Sequence, residues 1–369
     1  MNVAEAPLRN SEHIRRLAAH LQKLVPRPIK IMEVCGGQTH SILRYGLDRL
    51  VPQTITFLHG PGCPVCVIPA ETISMAIALA KRPKTVICVF GDVLRIPDSL
   101  GATLRLAQAQ GGDVRLIYSP ADVLRFAAEE PSNMFVFLAM GFETTAPANA
   151  MLVSQILTRN ISNIRLLVAQ FLIPPILELI CQDESARPDA FLAPGHVCAI
   201  SGTAQYEALA QKYNLPIAVT GFEPMDILRG TISAAEDFFA GRARVTLPYR
   251  RAVSREGNPL AWQEVLRFFE PAAREWRGLG QVQNGALILR KEFISKLSAA
   301  ELLDADFAEI QNKTAPLPSC PSQKVLLGKL SPDECPHFAK TCTPLTPIGP
   351  AMVSPEGACA AFWEHKVCS

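Results

Sequence analysis

The sequence predicts an α/β protein: two parallel-sheet α/β domains facing a cleft, followed by a smaller domain rich in proline and cysteine. Three observations carry this. Between residues 29 and about 240, short apolar runs alternate with helically periodic segments, the rhythm of parallel strands covered by helices. Glycines, cysteines and histidines recur just after the apolar runs. Beyond about residue 245 the rhythm breaks, and prolines and cysteines accumulate.

The strand candidates are 29–34, 55–58, 84–90, 114–118, 134–140, 164–171, 189–193 and 215–220. Helical periodicity marks 71–82, 100–110, 121–129, 148–158, 204–213 and 226–240, and Pro120 suits the start of the third of these. Eight strands divide more readily into two sheets than one, with a boundary near 119–133. The domains expected are therefore 1–125, 126–245 and 246–369. Residues 311–359 hold nine prolines, Pro316 and Pro318 among them. Such a segment cannot build long helices or central strands, and a metal centre would supply the staple it needs.

Composition narrows the function. A chain of 369 residues with 49% apolar and 19% charged residues can bury a large core. A net charge of +2 without a long basic run argues against nucleic-acid binding. The first 30 residues carry Arg9, Arg15, Arg16, Lys23 and Arg27 with no apolar signal-peptide core. The longest apolar stretch, 166–180, is broken by Gln170, Pro174-Pro175 and Glu178, too short for a membrane span. A soluble cytoplasmic protein, monomeric on its own, is expected. Eleven cysteines in a reducing compartment then point to metal ligation or thiol redox work. Cys88, Cys181 and Cys198 sit singly in apolar surroundings and read as small buried hydrophobes.

Ligands of open parallel sheets gather where loops leave the carboxyl ends of strands. Cys35-Gly36-Gly37-Gln38-Thr39-His40 follows the first strand, and Gly60-Pro61-Gly62-Cys63-Pro64-Val65-Cys66 the second. Gly91-Asp92, Gly141-Phe142-Glu143-Thr144-Thr145, Gly195-His196 and Gly221-Phe222-Glu223-Pro224 follow the third, fifth, seventh and eighth, which predicts one convergent rim. A thiol delivered into a glycine turn at a helix start is expected to ionise readily. Cys63 and Cys66 form a C-x-x-C without a second pair nearby, so a redox dithiol is favoured over half a zinc site. Cys35 stands alone among hydrogen-bond donors. It suits a covalent nucleophile or the anchor of a soft, low-spin metal fragment, with His40 beside it. Glu143 follows a wholly apolar strand, a costly place for a carboxylate without a task, although capping the following helix is the plain alternative. His59, His196 and Glu223 are weaker candidates.

The C-terminal cysteines read Cys320-x14-Cys335-x6-Cys342-x16-Cys359. The spacing fits neither zinc knuckles nor the ferredoxin patterns. Four cysteines in a proline-rich segment still suit a Cys-ligated cluster, iron–sulfur before zinc. Cys368 is set aside as a ligand because it lies one residue from a terminus.

Taken together these motifs resemble the HypD family of hydrogenase maturation factors. To the Cys35, Cys63/Cys66 and Glu143 motifs are added Pro194-Gly195-His196, Gly221-Phe222-Glu223-Pro224, and Ser331-Pro332-Asp333-Glu334-Cys335 through Glu356-Gly357-Ala358-Cys359. The likeness spans nearly the whole chain from about residue 10. It implies a scaffold on which the Fe(CN)2CO unit of [NiFe]-hydrogenases is assembled, in a fold of two α/β domains and a cluster-bearing third. Cys35 would be a ligand of that iron, shared with a HypC-like small chaperone. Cys63 and Cys66 would be the redox pair, and Cys320, Cys335, Cys342 and Cys359 would hold a [4Fe–4S] cluster. A HypE-like partner would deliver cyanide as a thiocyanate. Ser322 and Ala351 stand where relatives often carry further cysteines, which narrows the ligand choice to those four. The rival from another class is an iron–sulfur-dependent thiol–disulfide oxidoreductase acting on protein substrates. A third reading is a zinc-stapled binding protein. Whether the chain turns over as an enzyme is left open by its residues.

Overall fold

The computed structural model describes residues 6–303 and 320–368; Pro316 and Pro318 of the proline-rich segment lie outside the described residues. The protein is α/β with two mainly parallel sheets. All eight expected strands form: β1 (Ile29–Glu33), β2 (Ile55–His59), β3 (Thr85–Val89), β4 (Asp113–Leu116), β5 (Met134–Gly141), β6 (Ile164–Phe171), β7 (Ala190–Pro194) and β8 (Ile217–Thr220). Their helices follow the same local chemistry. Thr103 caps the helix Leu104–Ala109 by accepting from the Leu106 N–H. Pro224 opens the helix Pro224–Phe239, and Asn214 ends the helix Ala204–Tyr213 in a left-handed conformation at φ 50°.

The allocation of strands to sheets differs from the expected one. The first sheet runs β2-β1-β7-β8-β9, with β9 at Val245–Thr246. The second runs β10-β11-β6-β5-β3-β4. Each sheet thus takes strands from both halves of the chain, so a boundary near 119–133 is not where the sheets divide. The chain forms two compact units of discontinuous segments. One holds the chain up to Cys63, Ile173–Pro259 and everything from Pro321; the other holds Pro64–Leu172 and the chain from Leu260 through Cys320. Local alternation of strand and helix cannot report this, because a crossover looks the same whichever sheet it enters.

In the first unit, Ile29, Ile31, Leu192, Ala218 and Ile227 are buried in one core between sheet and helices. In the second, every residue of β5 after Met134 is buried, as expected for a central parallel strand. The antiparallel hairpin of β10 (Phe269–Trp276) and β11 (Gly280–Leu289) extends the second sheet by pairing with β6. The sequence reading missed it, although burial in β10 alternates with period two and the turn is Arg277-Gly278-Leu279. Among the described residues, no helix is long and apolar enough to cross a membrane.

Candidate functional site

In the first unit the loops after β1 and β2 converge on Cys35. Parallel pairing sets Glu33 opposite His59 at the strand ends. The Gly60-Pro61-Gly62 turn then folds back over the start of the helix Gly36–Arg44, with the Gly60 N–H donating to Glu33 O at 2.8 Å and the Gly36 N–H to Gly62 O at 3.4 Å. A β-carbon on Gly62 would lie 2.2 Å from the Cys35 nitrogen and 2.3 Å from Val34 O. Only glycine permits this approach.

Glu33 organises the turn. It is fully buried, and its carboxylate accepts from the Cys35 N–H at 2.9 Å, from the His59 Nδ1–H at 2.7 Å and from the Thr39 hydroxyl. Sequence reasoning missed it by treating 29–34 as simply apolar. The signal was present, since a carboxylate ending a mostly apolar strand demands partners. Gln38 fixes the motif helix to the neighbouring strands, donating to the Thr220 hydroxyl at 2.8 Å and to Ala193 O at 3.3 Å.

Cys35 Sγ lies 3.9 Å from His196 Nε2, across from the loop after β7. The ring of Phe222, from the loop after β8, meets His196 edge-on at 4.9 Å. Four loops at the carboxyl ends of one sheet therefore supply the site. Electrostatics there run against the expected easy ionisation. Burial, then the Glu33 charge, pushes the Cys35 thiol up to about 12, outweighing the N–H groups of Gly37 and Gln38 that favour the thiolate. The helix start is real, but desolvation is larger. Burial also pushes the His196 imidazole down to about 4. His196 is thus neutral at pH 7, and its buried Nδ1 has no hydrogen-bond partner among the described residues.

That burial has a measurable consequence. The unfolded chain protonates His196 near 6.5 and the folded chain near 4, so its contribution to stability is present above about 6.5 and is lost as pH falls toward 4. Between pH 7 and pH 5 it should remove about 2 kcal/mol. Denaturant unfolding at both pH values should show this acid sensitivity in the parent chain and a clear reduction in His196→Gln. An unchanged pH slope in that variant would assign the sensitivity elsewhere.

The other expected residues are distributed as follows. His40 lies on the helix that Cys35 caps, but it contacts His365 and Glu364 of the C-terminal segment. Cys63 is buried at the last position before the chain leaves the first unit, while Cys66 is buried in the short helix Pro64–Val67 of the second. Pro69 is the N-cap of the helix Ala70–Ala80. Glu143 is buried in the second unit after β5, just before the helix Ala146–Thr158. Gly91-Asp92 belongs to that unit too, so the expected single rim is two sets of loops on two sheets. Glu223 caps the helix Pro224–Phe239 and is held by Arg9 at 2.6 and 2.8 Å, whose guanidinium lowers its pKa. Cys88, Cys181 and Cys198 are buried.

Cys335, Cys342 and Cys359 come together in the first unit. They share an apolar cluster with Phe338, Met352, Ala361, Phe362 and Leu43 of the Cys35 helix. The Ile348 N–H points at Cys342 Sγ at 3.4 Å. Cys335 follows the short turn Pro332–Glu334, capped reciprocally by Ser331 and Glu334, Cys342 makes an isolated bridge with Phe338, and Cys359 lies on the short helix Ala358–Phe362. Three soft donors in one apolar cluster, with an N–H aimed at the sulfur of Cys342, suit a cysteine-ligated iron–sulfur cluster. Cys320 directly precedes this segment and is counted with the second unit.

Comparison with known proteins agrees with the motifs. A family profile described as "Hydrogenase formation hypA family" (HypD) matches residues 12–366. The chain is 39% identical to the hydrogenase maturation factor HypD of Escherichia coli (strain K12), covering 96% of this chain and 94% of that protein. It is 41% identical to the hydrogenase maturation factor HypD of Rhizobium leguminosarum bv. viciae, covering 92% and 89%. It is also 38% identical to the hydrogenase expression/formation protein HupD of Azotobacter chroococcum, covering 97% and 95%.

Proposed function

This chain belongs to the HypD family and is a hydrogenase maturation factor; we propose that its own part in maturation is to hold, on Cys35, the iron of the Fe(CN)2CO unit during assembly. The carrying observation is the pairing of Cys35 with a neutral, buried His196 whose other ring nitrogen has no partner among the described residues. Iron binding at Cys35 displaces the thiol proton, since a coordinating cysteine is deprotonated outright. A high thiol pKa therefore keeps the site protonated until iron arrives. Cyanide nitrogen is an acceptor, and a neutral imidazole N–H facing the cargo can orient it without adding charge. The glycine turn over Cys35 excludes water and bulk.

The Cys63/Cys66 pair is proposed as the dithiol that handles electrons for cyanide release, on the strength of its spacing. Cys335, Cys342 and Cys359 would hold a [4Fe–4S] cluster, with Cys320 as the fourth cysteine. When bound, the cluster would supply single electrons to that dithiol. A HypC-like chaperone sharing the iron and a HypE-like cyanide carrier complete the reading. The compartment proposed is the cytoplasm.

Infrared spectroscopy of protein purified anaerobically with such partners tests it. CO and CN stretching bands are expected in the parent chain and absent in Cys35→Ala. A parent chain with both partners and no such bands would sink the proposal.

A further inference from the structure

The first unit contains a second group of donors that the Cys35 site does not use. His40, Glu364 and His365 each offer one ligand atom, and these atoms lie within 4.8 Å of one another. His365 Nε2 is 3.0 Å from His40 Nδ1, and Glu364 Oε2 is 3.3 Å from His40 Nε2. The two imidazole rings are nearly perpendicular, at 88°, with centroids 4.6 Å apart.

We propose that His40, Glu364 and His365 form a binding site for a divalent first-row transition ion, with Fe(II) the ion its chemistry suits. Two imidazoles and one carboxylate on one side of an ion, leaving other positions for water, is a donor set of non-haem Fe(II). Spacing agrees. Ligands at right angles about an ion with ~2.1 Å bonds lie about 3.0 Å apart; the two observed contacts use opposite nitrogens of His40, so whichever nitrogen the ion takes keeps one neighbour near that spacing, and the set of three lies within 4.8 Å. The ion would take one nitrogen of His40, and the His40–His365 hydrogen bond would be exchanged for two metal bonds.

The framework under the site is built. Glu364 and His365 sit on one π-helical turn, Trp363–Val367, a rare conformation that tends to mark functional positions. Trp363 packs edge-on against Phe338, and Lys366 lies 3.7 Å from Asp48 and 3.6 Å from Asp333. These contacts tie the turn to the body of the unit on both sides of the ligands. Glu364 is exposed while both histidines are half-buried, so an ion can enter from solvent. His40 stands five residues after Cys35 on the motif helix. The donor set does not depend on the role proposed for Cys35, and the two can fail separately.

Co(II) is the probe, titrated anaerobically into the full chain and followed by equilibrium dialysis and absorption. The parent chain should take up about one Co(II) whose spectrum lacks a thiolate-to-cobalt charge-transfer band. His365→Ala should lose that equivalent, and Glu364→Gln should weaken it by about tenfold or more. Cys35→Ala should retain it, which separates this site from the proposed iron scaffold. Both variants lie on a partly exposed turn, and an unchanged thermal midpoint without metal confirms that they fold. Equal Co(II) uptake and affinity in the parent and His365→Ala would overturn the site, leaving a histidine pair joined by a hydrogen bond. Uptake that carries the charge-transfer band and vanishes in Cys35→Ala would overturn it as well.

Discussion

Gly62→Ala is expected to destabilise the first unit by about 3 kcal/mol or more and to abolish hydrogenase maturation in a strain lacking its own copy. The added methyl meets backbone, which cannot rotate away: Cys35 N at 2.2 Å, Val34 C at 2.2 Å and Val34 O at 2.3 Å. Relief requires the Gly60-Pro61-Gly62 turn to lift off the Val34–Cys35 peptide. That movement breaks the Gly36-to-Gly62 and Gly60-to-Glu33 backbone bonds and admits water over the thiol. Gly91→Ala is the control, because its β-carbon would meet nothing within 4 Å; a change within about 0.5 kcal/mol is expected there. Denaturant midpoints for both variants decide the matter. A Gly62→Ala midpoint equal to that of the parent would show that the turn rides loosely over Cys35.

The elements of this fold were legible because each is specified locally. Apolar runs of β-branched and aromatic residues, such as Met134 to Met140, read as buried parallel strands, and Thr103, Pro224 and Asn214 mark helix ends by their own backbone and side-chain chemistry. Sheet membership was not legible in the same way, since it depends on which of two sheets a crossover joins. One signal does exist. Each of the four junctions between units lies within one residue of a proline, at Pro64, Pro174, Pro259 and Pro321, where a continuous strand or helix interior is least favoured.

The site divides along the same line. Gly-rich loops bearing Cys35, Cys63 and His196 were readable because reactive residues after strand ends have few structural excuses. The protonation of Cys35 was not. A helix start argues for a thiolate, and only the depth of burial and the Glu33 charge reverse the sign. The trio of His40, Glu364 and His365 joins residues more than 320 positions apart, and no spacing rule connects them.

Glu33→Gln should lower stability and raise the reactivity of Cys35 in the same protein. The stability loss follows from counting donors. The carboxylate accepts from the Cys35 N–H, the His59 ring and the Thr39 hydroxyl inside a fully buried pocket. An amide keeps one acceptor oxygen and turns the other position into a donor, leaving donor facing donor. A cost of about 1–3 kcal/mol is expected, and Glu33→Ala, which strands all three groups, should cost about 3–5 kcal/mol. The reactivity gain follows from charge. Glu33 is the largest contributor after burial to the raised Cys35 pKa, so neutralising it increases the thiolate fraction at pH 8. Iodoacetamide labelling of Cys35, quantified by mass spectrometry on the folded protein, should therefore be faster in Glu33→Gln than in the parent chain. Slower or equal labelling beside a lowered denaturant midpoint would confine Glu33 to holding the turn. Faster labelling would make it the group that keeps the thiol protonated until a metal displaces the proton.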